Sequence, residues 1–447
     1  MVERPWQFIR EKQDGGEERK KMTFRITTLG CKVNQYESEK IKEALILRGF
    51  SEIDEDKPCD LHIINTCTVT HIADRKSRQK IRHAVKLSPN GKIIATGCGV
   101  GNDSSDISKI SDDIIIVKNK DKNKFADIIE NLFSIKEYDH AQNAFVRSNR
   151  TRAYLKTGDG CEHFCTYCIV PYVRGKVVSR PSEDIMKEAS EIINSGCKEI
   201  VLTAIHLGTY GYGLDENINL AILLDRLATK FPETRFRISS IEPMDFSEDM
   251  ISVMKSHSGI CRHIHLPLQH ASDKVLKRMN RDYGKDDFRK IIEKIRNIIP
   301  EISITADVIV GFPGETDEDF AELCDFVKEI NFYRCHVFKY SKREGTPASK
   351  FKDQVPEIVK ANRSAELIKI SSDLEFERNK SFIGKNVTIL TEYKNESEFW
   401  NGLTSEYIRA EFKGNENIKE NMFVDLKITE ATPEGVKGVL LTKYLGD

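Results

Sequence analysis

What this chain of 447 residues lacks narrows its class before any motif is read. No apolar run approaches the roughly 20 residues needed to cross a membrane. The first residues, 1–21, are polar and charged and lack the apolar centre of a secretory leader. They are expected to form a disordered extension, with Met22 a candidate natural start. Charge of one sign is also missing: 69 Lys and Arg against 70 Asp and Glu leave a net charge of −1. No global field therefore draws the chain to nucleic acid, and any RNA contact must come from local basic patches. Eleven cysteines are an odd number, which argues against a disulfide framework. The expected compartment is the cytoplasm, where thiols stay reduced and clustered cysteines point to metal or catalysis. What is present, 39% hydrophobic and 31% charged residues, describes a soluble chain of roughly two to four domains with sizeable cores.

The densest chemistry lies in Asp159-Gly160-Cys161-Glu162-His163-Phe164-Cys165-Thr166-Tyr167-Cys168. Three thiolates at this spacing can hold three corners of a [4Fe–4S] cube and leave the fourth iron open to a small molecule. The competing readings are a zinc site, which wants four closed ligands and would have to recruit the cramped His163, and three packed core thiols.

Upstream, apolar runs at 23–30, 61–66, 92–97 and 114–117 alternate with helical patterns at 34–48, 72–86 and 122–133. Strands alternating with helices imply a doubly wound parallel sheet. Cys31, Cys67 and Cys98 each stand just past the C-terminal end of a predicted strand, the edge where open α/β sheets bind ligands. Three distant residues would thus converge into a second three-thiolate site; the alternative is three small buried thiols. The helix after Cys67 carries Arg75, Lys76, Arg78, Lys80, Arg82, His83 and Lys86, a solvated face or an RNA contact.

After a polar linker at 141–150, six strand–helix units follow, with strands near 153–157, 199–203, 235–240, 263–268, 302–310 and 334–340 and a helix capped by Ser182. Six units rather than eight suggest an open, partial (β/α)6 barrel whose site lies at the strand C-termini. Loops at those ends carry His206, Ser239, Ser240, Glu242, Gln269, His270 and Gly311-Phe312-Pro313-Gly314. His206, His265 and His270 could act as general acids or be satisfied structural histidines. Cys197, Cys261, Cys324 and Cys335 show no ligand spacing and read as core thiols. Beyond a helical stretch at 356–380, short strands at 387–393, 407–412, 423–429 and 435–441 suggest a small antiparallel β-barrel. Its aromatics, Tyr393, Phe399, Trp400, Tyr407 and Phe412, could stack on bases or fill its core.

Along nearly the whole chain past Met22 these motifs resemble one family. Thr28-Leu29-Gly30-Cys31-Lys32-Val33-Asn34-Gln35-Tyr36-Glu37, Asn65-Thr66-Cys67, Thr96-Gly97-Cys98, Cys161 to Arg174-Gly175, Leu266-Pro267-Leu268-Gln269 and the Gly-Phe-Pro-Gly-Glu-Thr loop are similar to those of radical S-adenosylmethionine (SAM) methylthiotransferases. Cys-Lys-Val-Asn-Gln-Tyr-Glu looks like the branch acting on N6-threonylcarbamoyladenosine in tRNA, beside the anticodon. The other branches act on isopentenyladenosine in tRNA or on a ribosomal protein. Ala204 and His270-Ala271 depart from the usual Gly and Ser-Gly.

The resemblance implies a methylthiotransferase N-terminal α/β domain at 22–140, a radical SAM core at 146–377 and a TRAM domain at 380–447. It implies two [4Fe–4S] clusters, one on Cys161, Cys165 and Cys168 that reduces SAM to a radical able to attack adenine C2, the other on Cys31, Cys67 and Cys98 that holds the sulfur to be inserted. Tyr167 and the Ile169 backbone are expected at the SAM adenine, Ser239, Ser240 and Glu242 at its ribose and amino groups, and Gln269 among the other cofactor contacts. The expected partners are tRNA and a reductant protein such as flavodoxin or ferredoxin, with the chain a monomer. The reading from another class is an RNA-binding protein with structural zinc.

Overall fold

The computed structural model describes residues 21–53, 57–101, 105–134 and 151–441. The expected linker at 141–150, nearly all of the N-terminal extension and the last residues lie outside them.

The first unit alternates β1 (Thr23–Thr28), α1 (Lys32–Leu47), β2 (Ser51–Glu52), β3 (Leu61–Thr66), α2 (His71–Leu87), β4 (Lys92–Gly97), α3 (Ser105–Ser108), β5 (Ile114–Val117) and α4 (Phe125–Phe133). The strands form a parallel sheet in the order β2-β1-β3-β4-β5. Helices cover both faces, so β3 is buried throughout and reads as a continuous apolar run. Phe24, Leu45, Leu61 and Ile63 pack with Phe125 and Ile129 on one side, and Ile64, Ile93 and Ala95 meet Ile81 and Ala84 on the other. The two-residue β2 and the single-turn α3 were not predicted, being too short to carry a hydrophobic period.

The central unit runs β6 (Arg152–Lys156), β7 (Gly158–Asp159), α5 (Val170–Arg174), β8 (Val178–Ser179), α6 (Ser182–Asn194), β9 (Glu199–Thr203), α7 (Leu220–Lys230), β10 (Arg235–Ile238), α8 (Glu248–Ser256), β11 (His263–His265), α9 (Asp273–Arg278), α10 (Lys285–Ile298), β12 (Ser303–Val310), α11 (Asp317–Ile330) and β13 (Arg334–Lys339). Two parallel triplets, β6-β9-β10 and β11-β12-β13, are joined by the bridges Phe236–Ile260 and Ser240–His265. The result is an open barrel with β6 and β13 at its free edges. Alternate strand residues, among them Leu155, Ile200, Phe236, Ile264 and Ile304, pack outward under the helices. The other register carries polar residues. Glu199 is fully buried between Arg235 (2.5 Å) and Arg237 (2.9 Å). Ser182 is the first residue of α6 rather than its cap; Pro181 precedes it as the cap residue, and the Ser182 hydroxyl donates instead to Glu216 at 2.5 Å.

The long α12 (Glu357–Lys380) leads to a closed barrel of β14 (Asn386–Lys394), β15 (Phe399–Thr404), β16 (Arg409–Lys413), β17 (Phe423–Thr432) and β18 (Gly435–Leu440), in the order β14-β15-β16-β18-β17. Five strands replace the four predicted. The missed β15 contains Asn401-Gly402, which reads as a turn in sequence. The glycine is there because a Cβ would collide with the Leu390 carbonyl on the neighbouring strand. This small barrel docks against the central one: Arg235 and Arg237 each donate to its backbone, at the Leu403 and Thr404 carbonyls (3.0 Å each).

Candidate active site

Because β1, β3 and β4 are parallel neighbours, their C-terminal ends share one edge, and the turns leaving them bring Cys31, Cys67 and Cys98 together. Gly30 and Gly97 precede two of the cysteines with φ of +103° and +94°, the region glycine alone enters without strain. At Gly97 a Cβ would also strike the Thr66 backbone and the Asn65 side chain. Asn34 in the first turn of α1 ties the turns to each other, its amide donating to the Leu29 and Thr66 carbonyls (2.7 and 2.9 Å). Ser77 on α2 donates to the Cys67 carbonyl and accepts from its N–H. Cys67 and Cys98 are buried, and Cys31 is exposed as the residue before α1. Burial pushes the Cys67 and Cys98 thiols up; Arg174 opposes the rise at Cys98, and the charges of neighbouring cysteines add to it at both.

The second set sits on the loop between β7 and α5. The Cys161 N–H donates to the Gly175 carbonyl at 3.1 Å, and the Cys168 N–H to the Cys165 carbonyl at 2.9 Å. Thr166 anchors the loop to the opposite wall of the barrel, donating to the Met279 and Arg278 carbonyls. Phe164 bulges outward with φ of +46°, its backbone carbonyl and that of His163 accepting from Asn280. Burial pushes the Cys168 thiol up to about 12, and the neighbouring Cys165 and Cys161 add to this against a Val170 backbone bond. Arg281 opposes the rise at Cys165, its Nη1 lying 3.3 Å from the sulfur.

His206 completes this loop's surroundings. Its Nε2 lies 2.6 Å from Asp245, and the imidazole also hydrogen-bonds Cys161 and packs beside His163. Burial alone would lower its pKa, but the bonds to Asp245 and Cys161 outweigh that and raise it to about 9. Among the described residues, His163, His206 and Asp245 form the one trio whose metal-binding atoms all lie within 4.8 Å of one another. Neither cysteine set is drawn that tightly. The arginine donors at Cys98 and Cys165 suit anionic sulfur, as thiolate ligands of a cluster would require.

Cys98 and the segment that follows Cys168 come together at the seam between the units. One cavity is lined by Cys98 and Thr66 from the α/β sheet and by Ile169, Val173 and Arg343 from the central barrel. Ile169 directly follows Cys168. Arg174, at the end of α5, reaches across to donate to the Cys98 sulfur at 3.2 Å. Sequence reasoning missed Arg174, Arg281 and Glu37 as parts of the site. The usable signal was Asn34 and Glu37 at a spacing of three on one helix face, beside the Arg174-Gly175 ending of the cysteine motif.

The other predicted contacts are placed unevenly. Ser239 is buried just beyond β10, its N–H donating to the Leu202 carbonyl. Gln269 has φ of +61° and pairs through its backbone with Asp307 and Ile309. Tyr167 packs against Val275, Met279, Phe312 and Tyr340. Glu242 is ion-paired with Arg281, so its carboxylate already has a cation. His265 meets Thr305 and Asp307; buried His270 accepts the Ser272 N–H at Nδ1, while its Nε2 has no hydrogen-bond partner and lies 3.5 Å from the Glu315 carboxylate. Of the aromatics offered for base stacking, Trp400 and Phe412 belong to the small barrel's core and Tyr407 stacks on His263 and Arg237. Tyr393 is exposed. On α2, Arg75, Lys76, Lys80, Arg82 and Lys86 are all exposed, and the helix starts beside the seam, where the His71 N–H donates to Ser341.

Comparison with known proteins places this geometry. Residues 155–327 match the Radical SAM superfamily and residues 23–118 match Uncharacterized protein family UPF0004. A threonylcarbamoyladenosine tRNA methylthiotransferase of Bacillus subtilis is 39% identical over 92% of this chain and 94% of its own length. A protein of the same name from Thermotoga maritima is 35% identical over 93% and 96%. A tRNA-2-methylthio-N(6)-dimethylallyladenosine synthase of Thermodesulfovibrio yellowstonii is also 35% identical, over 93% and 98%. The solved radical SAM methyltransferase TsrM of Kitasatospora setae shares the fold, with a TM-score of 0.56 at 13% identity over 74% of this chain and 77% of that one. The chain belongs to the radical SAM methylthiotransferases.

Proposed function

We propose that the protein is the tRNA methylthiotransferase that places a methylthio group on C2 of N6-threonylcarbamoyladenosine beside the anticodon, using SAM and two [4Fe–4S] clusters. Cys161, Cys165 and Cys168 hold one cluster and Cys31, Cys67 and Cys98 the other. Adenine C2–H is not acidic, so the bound cofactors supply what side chains lack: a radical to remove the hydrogen and a sulfur to replace it. The chain's own residues orient and shield. Arg281 and His206 hold the Cys161, Cys165 and Cys168 set from the barrel side. Asn34 and Ser77 fix the turns of the Cys31, Cys67 and Cys98 set. Ser239, Gln269, Tyr167 and Ile169 line the SAM side, with Glu242 present as an ion pair to Arg281. The exposed cations of α2 and Tyr393 offer contacts for an RNA backbone and a base. A flavodoxin or ferredoxin supplies electrons, and the chain works as a cytoplasmic monomer.

The observation that carries the reading is one cavity lined by Cys98 from one thiol set and by Ile169, the neighbour of Cys168, from the other. Similarity over nearly the full length to enzymes named for this nucleoside supports the choice of substrate. The dimethylallyladenosine reading rests on relatives at 35% and 36% identity, below the 39% of the Bacillus subtilis protein but level with the other two named for threonylcarbamoyladenosine, at 34% and 35%. Mass spectrometry of tRNA nucleosides from cells lacking the gene separates them. Loss of methylthio-threonylcarbamoyladenosine alone is expected. Loss of the methylthio-dimethylallyl nucleoside instead would transfer the assignment.

A further inference from the structure

Arg174 occupies an unusual position. Its side chain is fully buried and leaves the central barrel to end inside the N-terminal unit. Nε donates to the Cys98 sulfur at 3.2 Å. Nη1 donates to Glu37 at 2.5 Å and to Asp159 at 3.1 Å, and Nη2 to the Asn34 side-chain oxygen at 2.5 Å. These partners reach every cysteine turn of the first set. Cys98 is touched directly, and Asn34 grips the carbonyls of Leu29 and Thr66, which lead into Cys31 and Cys67. Asp159 lies just before Cys161, and the residue after Arg174, Gly175, accepts from the Cys161 N–H.

The charges do not cancel without sulfur. Lys122 pairs with Glu37, and Lys156 lies 3.2 Å from Glu37 and 2.5 Å from Asp159. Arg174, Lys122 and Lys156 thus face two carboxylates, leaving one positive charge in a largely buried cluster. Burying net charge is costly. The Cys98 sulfur, 3.2 Å from Arg174 Nε, is the remaining partner within hydrogen-bond reach, and as a cluster ligand it would be anionic.

We infer that Arg174 is a positioning residue that couples the two thiol sets, donating its positive charge to the Cys98 thiolate so that the cluster on Cys31, Cys67 and Cys98 is held against the Cys161 loop and is easier to reduce. The inference rests on that cluster assignment. Hydrogen bonds to ligand sulfurs and nearby net charge are main determinants of cluster potential. A cation beside the ligand favours the reduced, more negative state, so its removal lowers the potential.

The test uses full-length protein carrying Cys161→Ala, Cys165→Ala and Cys168→Ala, reconstituted anaerobically so that only the N-terminal cluster remains. Its midpoint potential is read by redox titration with paramagnetic resonance. Arg174→Gln is expected to move the potential down and Arg174→Lys to restore part of the shift. Glu37→Gln, which keeps Arg174 and removes a negative charge, is expected to move it up. Unchanged potentials with full iron content in Arg174→Gln would overturn the inference. If Arg174→Gln fails to fold, an unchanged potential in Glu37→Gln does the same. A parent protein that binds no iron would instead overturn the cluster assignment itself.

Discussion

Individual residues carry the chemistry, and the cysteines give the plainest expectation. Anaerobic reconstitution should load about eight irons per chain, four for each cube. Cys165→Ala or Cys67→Ala should each halve that number, measured by iron analysis with the visible absorption of the remaining cluster. A single cluster in the unsubstituted protein would remove the basis for methylthiolation. Glycine matters at this scale where the backbone demands it. Gly97 combines φ of +94° with a Cβ direction blocked by the Thr66 backbone. Gly97→Ala should cost about 1–3 kcal/mol of stability or more, read by denaturant unfolding, and should deplete iron from the N-terminal set. Wild-type stability with full iron would show that the Cys98 turn tolerates rearrangement. The placement of the cysteines, at three strand ends and on one loop, is legible in the sequence because spacing and strand-end position are local properties. The arginines that serve them are not. Arg174 and Arg281 find their sulfurs through tertiary contacts far along the chain, and a lone arginine in sequence has no pattern to reveal that.

At the scale of elements, regular α/β alternation made the sheet and the open barrel readable, since each strand and helix carries its own period. What escaped were pieces defined by their neighbours: β2, a two-residue edge; β15, whose glycine answers a carbonyl on β14; and the cap of α6. The polar register inside the barrel strands also has consequences. Arg237 and then Arg235 hold the Glu199 carboxyl down at about 2, against burial, from an ordinary 4.5. A depressed carboxylate contributes stability that is fully present above the unfolded value and is lost as pH falls through the folded one. The contribution, on the order of 3 kcal/mol, should therefore fade between about pH 4.5 and pH 2. Thermal unfolding across that range should fall more steeply for the parent than for Glu199→Gln, which should also be less stable at neutral pH because it leaves two buried arginines short of a counter-charge. Parallel curves would refute this. For α2, Arg75→Glu, Lys76→Glu and Arg82→Glu together should weaken tRNA binding by roughly tenfold or more and flatten its salt dependence, while leaving the fold intact. Binding unchanged at low salt would assign the helix to solvent.

At the scale of the whole molecule, the sheet edge and the barrel mouth face each other across one seam, and sequence alone could state this only as a requirement. The close approach depends on contacts such as Tyr36 with Glu188 and Lys40 with Glu188, between residues far apart in the chain. No helix among the described residues is long and apolar enough to cross a membrane. The most direct measurement is turnover by the purified, anaerobically reconstituted protein, given SAM, a reductant, and tRNA carrying threonylcarbamoyladenosine or, separately, dimethylallyladenosine. The account predicts the methylthio nucleoside from the first tRNA, and none when either cysteine set is replaced by alanine. Protein with both clusters loaded that modifies only the second tRNA, or neither, would contradict it.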